Sequence, residues 1–505
     1  MSKLHFTALL GLLFTIRAQG QLAWELTINP AGQYGSATTA QYTAAEGRLF
    51  ITIGEFGQPF VPARLCEVSS DGSVIASHSL SFPGRVCNGV QLLGENQFGD
   101  LLAFSPGYIQ DPGDGDSVRM VYWRFGTDLE QLDAKLIGKP GKDISFNTGF
   151  IGPDSTIRVV YTIDDWAGNL HQLEALKLNL NGDSISGRQL YNGMSQGAVT
   201  SLAMHPDGLM AMGSSYADWG YTPTSGGNLT YLEENFNIDS TYFFEPVDEN
   251  NPSPLFDAPM HPIQVLPLQS GNLLISGQFW RDFGTNHPAV IQHTDAQAHV
   301  INQYVNDSPW EEDIPAVIKA MDAAADGTLF FAQMNHWNGN AYIYSPFPSQ
   351  VEVTHLDTSL NVLGRYVFDG FVDSVSYVPF YVLSTPDGGV LVMGMKRELS
   401  IPNAPAKAWI AKLGPESFTA VREEASLVLN LFPNPGTDGF NLNLKHRVEQ
   451  ARIQLHDMQG RLVLDRPVNG INIHVSIPDL RPGLYAVSLR ACNGPILQSL
   501  RWVKE

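Results

Sequence analysis

Residues 199–216, "VTSLAMHPDGLMAMGSSY", hold two short apolar runs joined by Asp207-Gly208. Residues 317–335, "VIKAMDAAADGTLFFAQMN", repeat the pattern around Asp326-Gly327. Gly or Asp-Gly between two such runs is the chemistry of a short hairpin, because the turn needs a residue at positive φ. The same signal falls at Glu46-Gly47, Phe98-Gly99, Asp154-Ser155, Ser270-Gly271 and Asp387-Gly388, which makes seven turns in all. The second turn residues lie 52, 56, 53, 63, 56 and 61 positions apart. A second pair of alternating runs follows each hairpin, as in "ARLCEVSSDGSVIASHSL" (63–80), "HQLEALKLNLNGDSISGRQL" (171–190) and "VEVTHLDTSLNVLGRYVF" (351–368). Each unit thus offers four short strands, A to D.

Evenly spaced short strands predict an all-β fold, and units of four strands and roughly 50 residues are the size of propeller blades. Residues 21–418 therefore read as a seven-bladed β-propeller. "LAWELTINP" (22–30) is the candidate ring-closing strand. A solenoid or a tandem of sandwiches is the competing architecture. The units resemble the degenerate Asp-Gly-turn repeats of secreted bacterial propellers, a resemblance that implies an architecture and no activity.

In a propeller the B–C and D–A loops share one face. The B–C loops here carry aromatic residues at matched offsets: Trp166, Trp219, Trp280 and Trp337 lie 9 to 11 residues past their turns, and Phe56 and Tyr108 hold the corresponding places in the first two units. Asp165, Asp218, Asp282 and Asn338 stand nearby. Indoles stack on CH groups while carboxylates and amides bond hydroxyls, so the ring predicts a binding face for a glycan or an extended peptide. The competing reading is that each tryptophan packs its own blade. No His-x-x-x-His pair and no Gly-x-Ser-x-Gly elbow occurs. Loop carboxylates keep a polysaccharide hydrolase or lyase open, and a non-catalytic display scaffold is a third possibility. "DPGDGDS" sets Asp111, Asp114 and Asp116 among glycines, the one candidate calcium loop, and no other cofactor is expected.

The chain of 505 residues has a net charge of −21, which disfavours nucleic acid and anionic membranes as partners. "MSKLHFTALLGLLFTIRAQGQ" reads as an export signal over residues 1–20: Lys3, an apolar core from Phe6 to Ile16, then a small-x-small site. No run is long and apolar enough to be a transmembrane segment. Of three cysteines, Cys66 and Cys87 are the candidate disulfide, leaving Cys492.

The last stretch differs in kind. "LFPNPGTDGFNLNL" (431–444) places two prolines inside an apolar run, which forces strand, sharp turn, strand. "ARIQLHDMQGRLVLD" (451–465) and "IPDLRPGLYAVSLRACNGPILQSLRWVKE" (477–505) follow, with the alternation of a small antiparallel sandwich. Together they resemble the type A C-terminal sorting domain of the type IX secretion system of Bacteroidetes. The matching positions are Pro433, Asn434 and Pro435, Asp457 with Gly460 and Arg461, Leu480 with Gly483 and Tyr485, and Arg501 to Lys504. The resemblance implies residues 426–505 as an address read by the type IX machinery, with 419–425 as a linker. It also implies transit through the periplasm and a product that is secreted or held at the outer-membrane surface.

Overall fold

The computed structural model describes residues 22–31, 34–44, 46–57, 61–109, 118–138, 142–165, 170–192, 199–217, 225–244, 260–279, 288–306, 312–337, 347–418, 428–457, 461–491 and 496–504. The chain divides into two compact units, Met1–Ala420 and Val421–Glu505. The expected linker, 419–425, lies outside the described residues.

In the first unit the described residues form seven antiparallel sheets, numbered I to VII, each with a meander of four strands. Sheet I runs Tyr34–Tyr42, Leu49–Phe56, Arg64–Val68 and Val74–Ser79. Sheet II runs Gln91–Glu95, Leu101–Ile109, Val118–Phe125 and Gln131–Ile137, with an added hairpin, Ser81–Phe82 and Arg85–Val86, beside Tyr108 and Ile109. Sheet III runs Asp143–Ile151, Ile157–Asp165, Leu170–Leu178 and Ser184–Asn192. Sheet IV runs Val199–Met204, Met210–Ala217, Ser225–Leu232 and Ile238–Phe243. Sheet V runs Met260–Pro267, Leu273–Phe279, Ala289–Thr294 and Val300–Val305. Sheet VI splits strand A into Glu312–Pro315 and Met321–Ala323, then continues Leu329–Trp337, Gln350–Leu356 and Val362–Asp369. Sheet VII takes Val375–Ser384, Val390–Glu398 and Lys407–Leu413 from the end of the unit and Leu22–Ile28 from its start. Each sheet packs on the next and VII packs on I, so the order is cyclic. This is a β-propeller fold.

The expected A–B hairpins form. In sheet IV the N–H of His205 donates to Leu209 O and that of Gly208 returns to His205 O, with Gly208 at φ 93°. Strand A has no sheet neighbour on its inner side, so its edge groups need partners. Side chains of the preceding sheet supply them: Thr39 Oγ1 accepts from Leu92 N at 2.9 Å, Ser201 Oγ from Val265 N at 3.0 Å, and Gln264 Oε1 from Met321 N at 2.9 Å. Between VI and VII the backbone itself does so, with Ile318 N donating to Phe380 O at 2.8 Å and Val382 N to Lys319 O at 2.9 Å.

Apolar faces fill the gaps between sheets. Phe50, Leu65, Trp123 and Phe125 lie between I and II, and Ile51, Val68, Met393 and Ile410 between VII and I. Strand alternation corrects the expected disulfide. Cys66 is buried with Ile51 and Ile410, while Cys87 is buried with Phe50 and Leu65 on the other face of sheet I, and both are free thiols. Burial pushes both thiols up in pKa.

The second unit is a β-sandwich-like sheet ordered Val428–Phe432, Gly439–His456, Gly483–Ala491 and Ile496–Lys504, with Leu462–Ser476 also paired to Gly439–His456. Along Gly439–His456, which keeps Leu462–Ser476 on one side with register breaks near Val448, the other neighbour changes from Val428–Phe432 to Gly483–Ala491. Phe440, Ile453, Val475, Val487 and Trp502 form its core.

Candidate functional site between sheets V and VI

The tryptophans of the sequence-predicted ring follow the ends of strands B in chain order. Strand B ends at Asp165 in III, Ala217 in IV, Phe279 in V and Trp337 in VI, so the chain reaches each tryptophan at or within two residues of that end. Trp166, Asp218, Trp219, Trp280, Asp282 and Asn338, and the side chains of Asp165 and Trp337, lie outside the described residues. So do Asp111, Asp114 and Asp116, and no group of three metal-ligating side chains occurs among the described residues. Phe56 is half-buried against Tyr34, Ile314 and Met395. Tyr108 is half-buried between Val86 and Val118, where burial pushes its phenol up.

Below this end, the gap between sheets V and VI changes character along its length. Toward the A–B turns it is apolar, with Leu274 and the edge-to-face pair Tyr304–Phe331. Toward the B–C end the same faces turn polar: Ser276 and Gln278 on strand B of V, Gln333 and Asn335 on strand B of VI, and Glu352 on strand C of VI. Asp313, at the bulge in strand A of VI, is fully buried, and Glu352 is 7% exposed.

These groups are wired together. Gln278 Nε2 donates to Asp313 O at 3.0 Å, and Asn306 Nδ2 reaches Asp313 Oδ2 at 3.2 Å and Asn335 Oδ1 at 3.3 Å. Gln333 Nε2 donates to Asn335 Oδ1 at 2.8 Å, and Asn335 Nδ2 to Glu352 Oε2 at 3.4 Å. Thr354 Oγ1 lies 3.1 Å and Arg365 Nε 3.4 Å from Glu352 Oε1. Burial, then the Glu352 charge, pushes the Tyr304 hydroxyl up. Ser276 Oγ and Gln333 Oε1 have no hydrogen-bond partner among the described residues. Buried polar groups are costly unless satisfied, and these bonds satisfy most of the groups in the cluster.

Sequence reasoning missed this cluster, because Gln, Asn and Glu at scattered strand positions give no local signal. At the opposite end a cavity of about 500 Å³ is lined by Pro153, Arg158, Met204, His205, Glu234 and Pro267. Its charges already pair, Arg158 and Lys177 with Asp154 at 2.8 and 3.0 Å and Lys177 with Glu234 at 2.8 Å, and this clamp holds Asp154 well below the usual carboxylate range.

In the second unit the sorting-motif residues join the first turn to the last strand. Trp502 Nε1 donates to Pro433 O at 3.0 Å, Val503 N to Asn434 Oδ1 at 2.9 Å and Gly436 N to Val503 O at 2.9 Å. Lys504 Nζ donates to the carbonyls of Thr437, Ile477 and Pro478. Asp457 accepts from Arg461 Nε at 2.7 Å, and the Tyr485 hydroxyl donates to Arg481 O at 2.7 Å. Gly483 pairs with Lys504, while Gly460 lies outside the described residues.

The chain thus joins a β-propeller to a latched, sandwich-like sheet. Residues 430–500 match the family model of the secretion system C-terminal sorting domain, and that segment is such a domain. The protein is a cargo of the type IX secretion system, addressed to the cell surface or the extracellular space. Comparison with curated proteins finds no match. Among solved structures the chain is similar to PorZ, an essential surface component of the type IX secretion system of Porphyromonas gingivalis (12% identity, 92% of this chain, 51% of that one, TM-score 0.31). It thus spans about half of that chain. It is similar also to the Dos1 propeller (10% identity, 78% of this chain, 95% of that one, TM-score 0.40). A third similarity is to the alpha-L-arabinanase of Penicillium chrysogenum, complexed with arabinobiose (13% identity, 68% of this chain, 98% of that one, TM-score 0.41). No helix among the described residues is long and apolar enough to cross a membrane.

Proposed function

We propose that the propeller is a glycan-binding module, exported by its N-terminal signal, routed by residues 426–505 and presented outside the cell. The observation that carries this reading is the buried carboxylate–amide network of Asp313, Asn335 and Glu352, placed under the strand ends that lead into Trp280 and Trp337. Amides and carboxylates supply the directional bonds a sugar hydroxyl needs, and an indole supplies the flat apolar face. A glycan array with the purified chain tests it. Trp280→Ala and Trp337→Ala are each expected to weaken binding about 3- to 10-fold, the size of an aromatic contact. Melting temperatures unchanged with affinity reduced support the reading, and lowered melting temperatures with affinity intact overturn it.

A second reading has one observation in its favour: Asp313 and Glu352 belong to one network, and paired carboxylates perform glycoside hydrolysis. Release of reducing ends from a bound polysaccharide, abolished by Glu352→Gln, would establish it. A protein ligand is the remaining alternative for the same face.

A further inference from the structure

We infer that the cavity over the A–B turns of sheets III, IV and V is a second binding site, for a short uncharged peptide segment that seats an apolar side chain. It lies at the end opposite the B–C ends of the strands and does not rest on the glycan reading. Its volume, about 500 Å³, falls within the roughly 300–1,000 Å³ of small-ligand pockets. Three sheets build the wall. Pro153 comes from the turn of III, Pro206 from that of IV, and Pro267 from the end of strand A in V. Met204 and Met210, cross-strand partners in IV, add their thioethers. Proline fixes its own backbone, while methionine is unbranched and adapts its shape, so rigid and adaptable apolar surfaces meet in one pocket.

The polar groups of the wall decide the charge of the ligand. Arg158, 2% exposed, donates to both oxygens of Asp154, at 2.8 and 3.0 Å. Lys177 bridges Asp154 and Glu234, at 3.0 and 2.8 Å. Two cations thus meet two carboxylates and cancel. His205 has both ring nitrogens engaged, Nε2 with Gly271 O at 2.9 Å and Nδ1 with Asp207 Oδ1 at 2.7 Å. Each of these groups has its partner on the protein, so a charged ligand would shed hydration with no counter-charge to meet. One polar side chain is left. Gln269, exposed in the turn of V, makes no hydrogen bond among the described residues. A primary amide both donates and accepts, as a peptide group does, and the two pair side by side. No Phe, Tyr or Trp lines the cavity among the described residues, so the flat face on which a sugar ring stacks is missing. Apolar walls, cancelled charge and one amide suit a peptide and not a glycan.

The test uses the full chain with carbon-13-labelled methionine methyls and four blocked tripeptides, acetyl-Ala-X-Ala-amide with Leu, Phe, Lys or Asp at X. Met204→Leu and Met210→Leu assign the two methyl signals. The Leu or Phe peptide is expected to move both, with the Lys and Asp peptides at least about tenfold weaker, the scale of desolvating an unpaired charge in an open pocket. Gln269→Ala, which removes no bond of the fold, should weaken the Leu peptide about 3- to 10-fold, the size of one hydrogen bond. Unchanged signals from the other methionines show that the variant is folded. A Lys or Asp peptide bound as tightly as the Leu peptide overturns the apolar assignment, and Gln269→Ala without effect overturns the peptide-group contact. If none of the peptides moves either methyl, or a soluble glucan moves them instead, the inference falls while the glycan reading at the other end is untouched.

Discussion

At the C–D turns one backbone problem is solved in two ways. The fourth residue of each turn is left-handed, at Gly72 and Gly182 and also at Leu129, Phe236, Ala298 and Leu360. A Cβ on Gly182 would lie 2.4 Å from the Tyr122 ring of the preceding sheet, and one on Gly72 would lie 2.7 Å from Trp24. At Leu129, Phe236 and Leu360 the side chain is itself buried between sheets. Left-handed backbone costs about 1–2 kcal/mol there, and burial of the apolar side chain, about 1.5–3 kcal/mol, offsets it. Gly182→Ala is therefore expected to destabilise by about 2 kcal/mol or more in urea unfolding, through strain and displacement of Tyr122 together. An unchanged midpoint would overturn this. His355 provides a pH test. Burial against Phe330, 4.5 Å away, depresses its imidazole from 6.5, with Asp326 opposing the shift. The unfolded ring takes a proton more readily than the folded one. The stability from the neutral ring is thus present above pH 6.5 and lost as pH falls through the depressed folded value. In His355→Gln the drop in melting temperature between pH 7.5 and 5.5 should shrink.

Among elements, the last strand of the second unit shows how few groups fix a small sandwich. Lys504 is 5% exposed and its three N–H donors meet three carbonyls, two of them at 3.1 and 3.0 Å. Lys504→Met keeps the aliphatic stem and removes every donor. Each of the three hydrogen bonds lost contributes about 0.5–1.5 kcal/mol net, so the second unit should lose about 2 kcal/mol. Hydrogen exchange across residues 428–504 measures it, and retained protection would overturn the latch. The hairpins were legible because a turn needing positive φ leaves Gly or Asp-Gly in the chain, and the sorting domain because its motifs are local. The split strand A of sheet VI was not legible: "DIPAVIKAMD" reads as one apolar run, and only the edge of sheet VII tells Ile318 and Lys319 to leave the strand. The left-handed Phe236 carries no turn signature either, since the core rather than the turn selects it. The same holds for the V–VI cluster. Gln278, Asp313 and Glu352 come from three separate stretches, and sheet packing alone brings them together.

At the scale of the whole first unit, closure depends on one short strand. Leu22–Ile28 is the outer strand of sheet VII, paired along Lys407–Leu413. Glu25 Oε1 accepts from Lys396 Nζ at 2.8 Å and from Trp409 Nε1 at 2.9 Å, tying together residues more than 370 positions apart. Trp409 is fully buried against Phe368 and Tyr377, with ring centroids at 4.8 and 4.9 Å. Trp24 covers the Gly72 turn of sheet I, so the strand also bridges the seam between the two ends of the ring. Removing it would leave strand C of VII an open edge and the Trp409 N–H without its acceptor, both unfavourable and the first prone to association. A chain lacking residues 22–28 is therefore expected to melt well below the intact protein and to self-associate in size-exclusion chromatography. A synthetic peptide of residues 21–31 should restore the melting temperature and the monomer peak by refilling the edge. The same peptide with Glu25→Ala should restore less, because pairing returns while the Lys396 and Trp409 bonds do not. If the truncated chain melts at the temperature of the intact one, closure does not rest on this strand. If the peptide rescues equally with and without Glu25, backbone pairing alone closes the ring and the Glu25 carboxylate contact is dispensable.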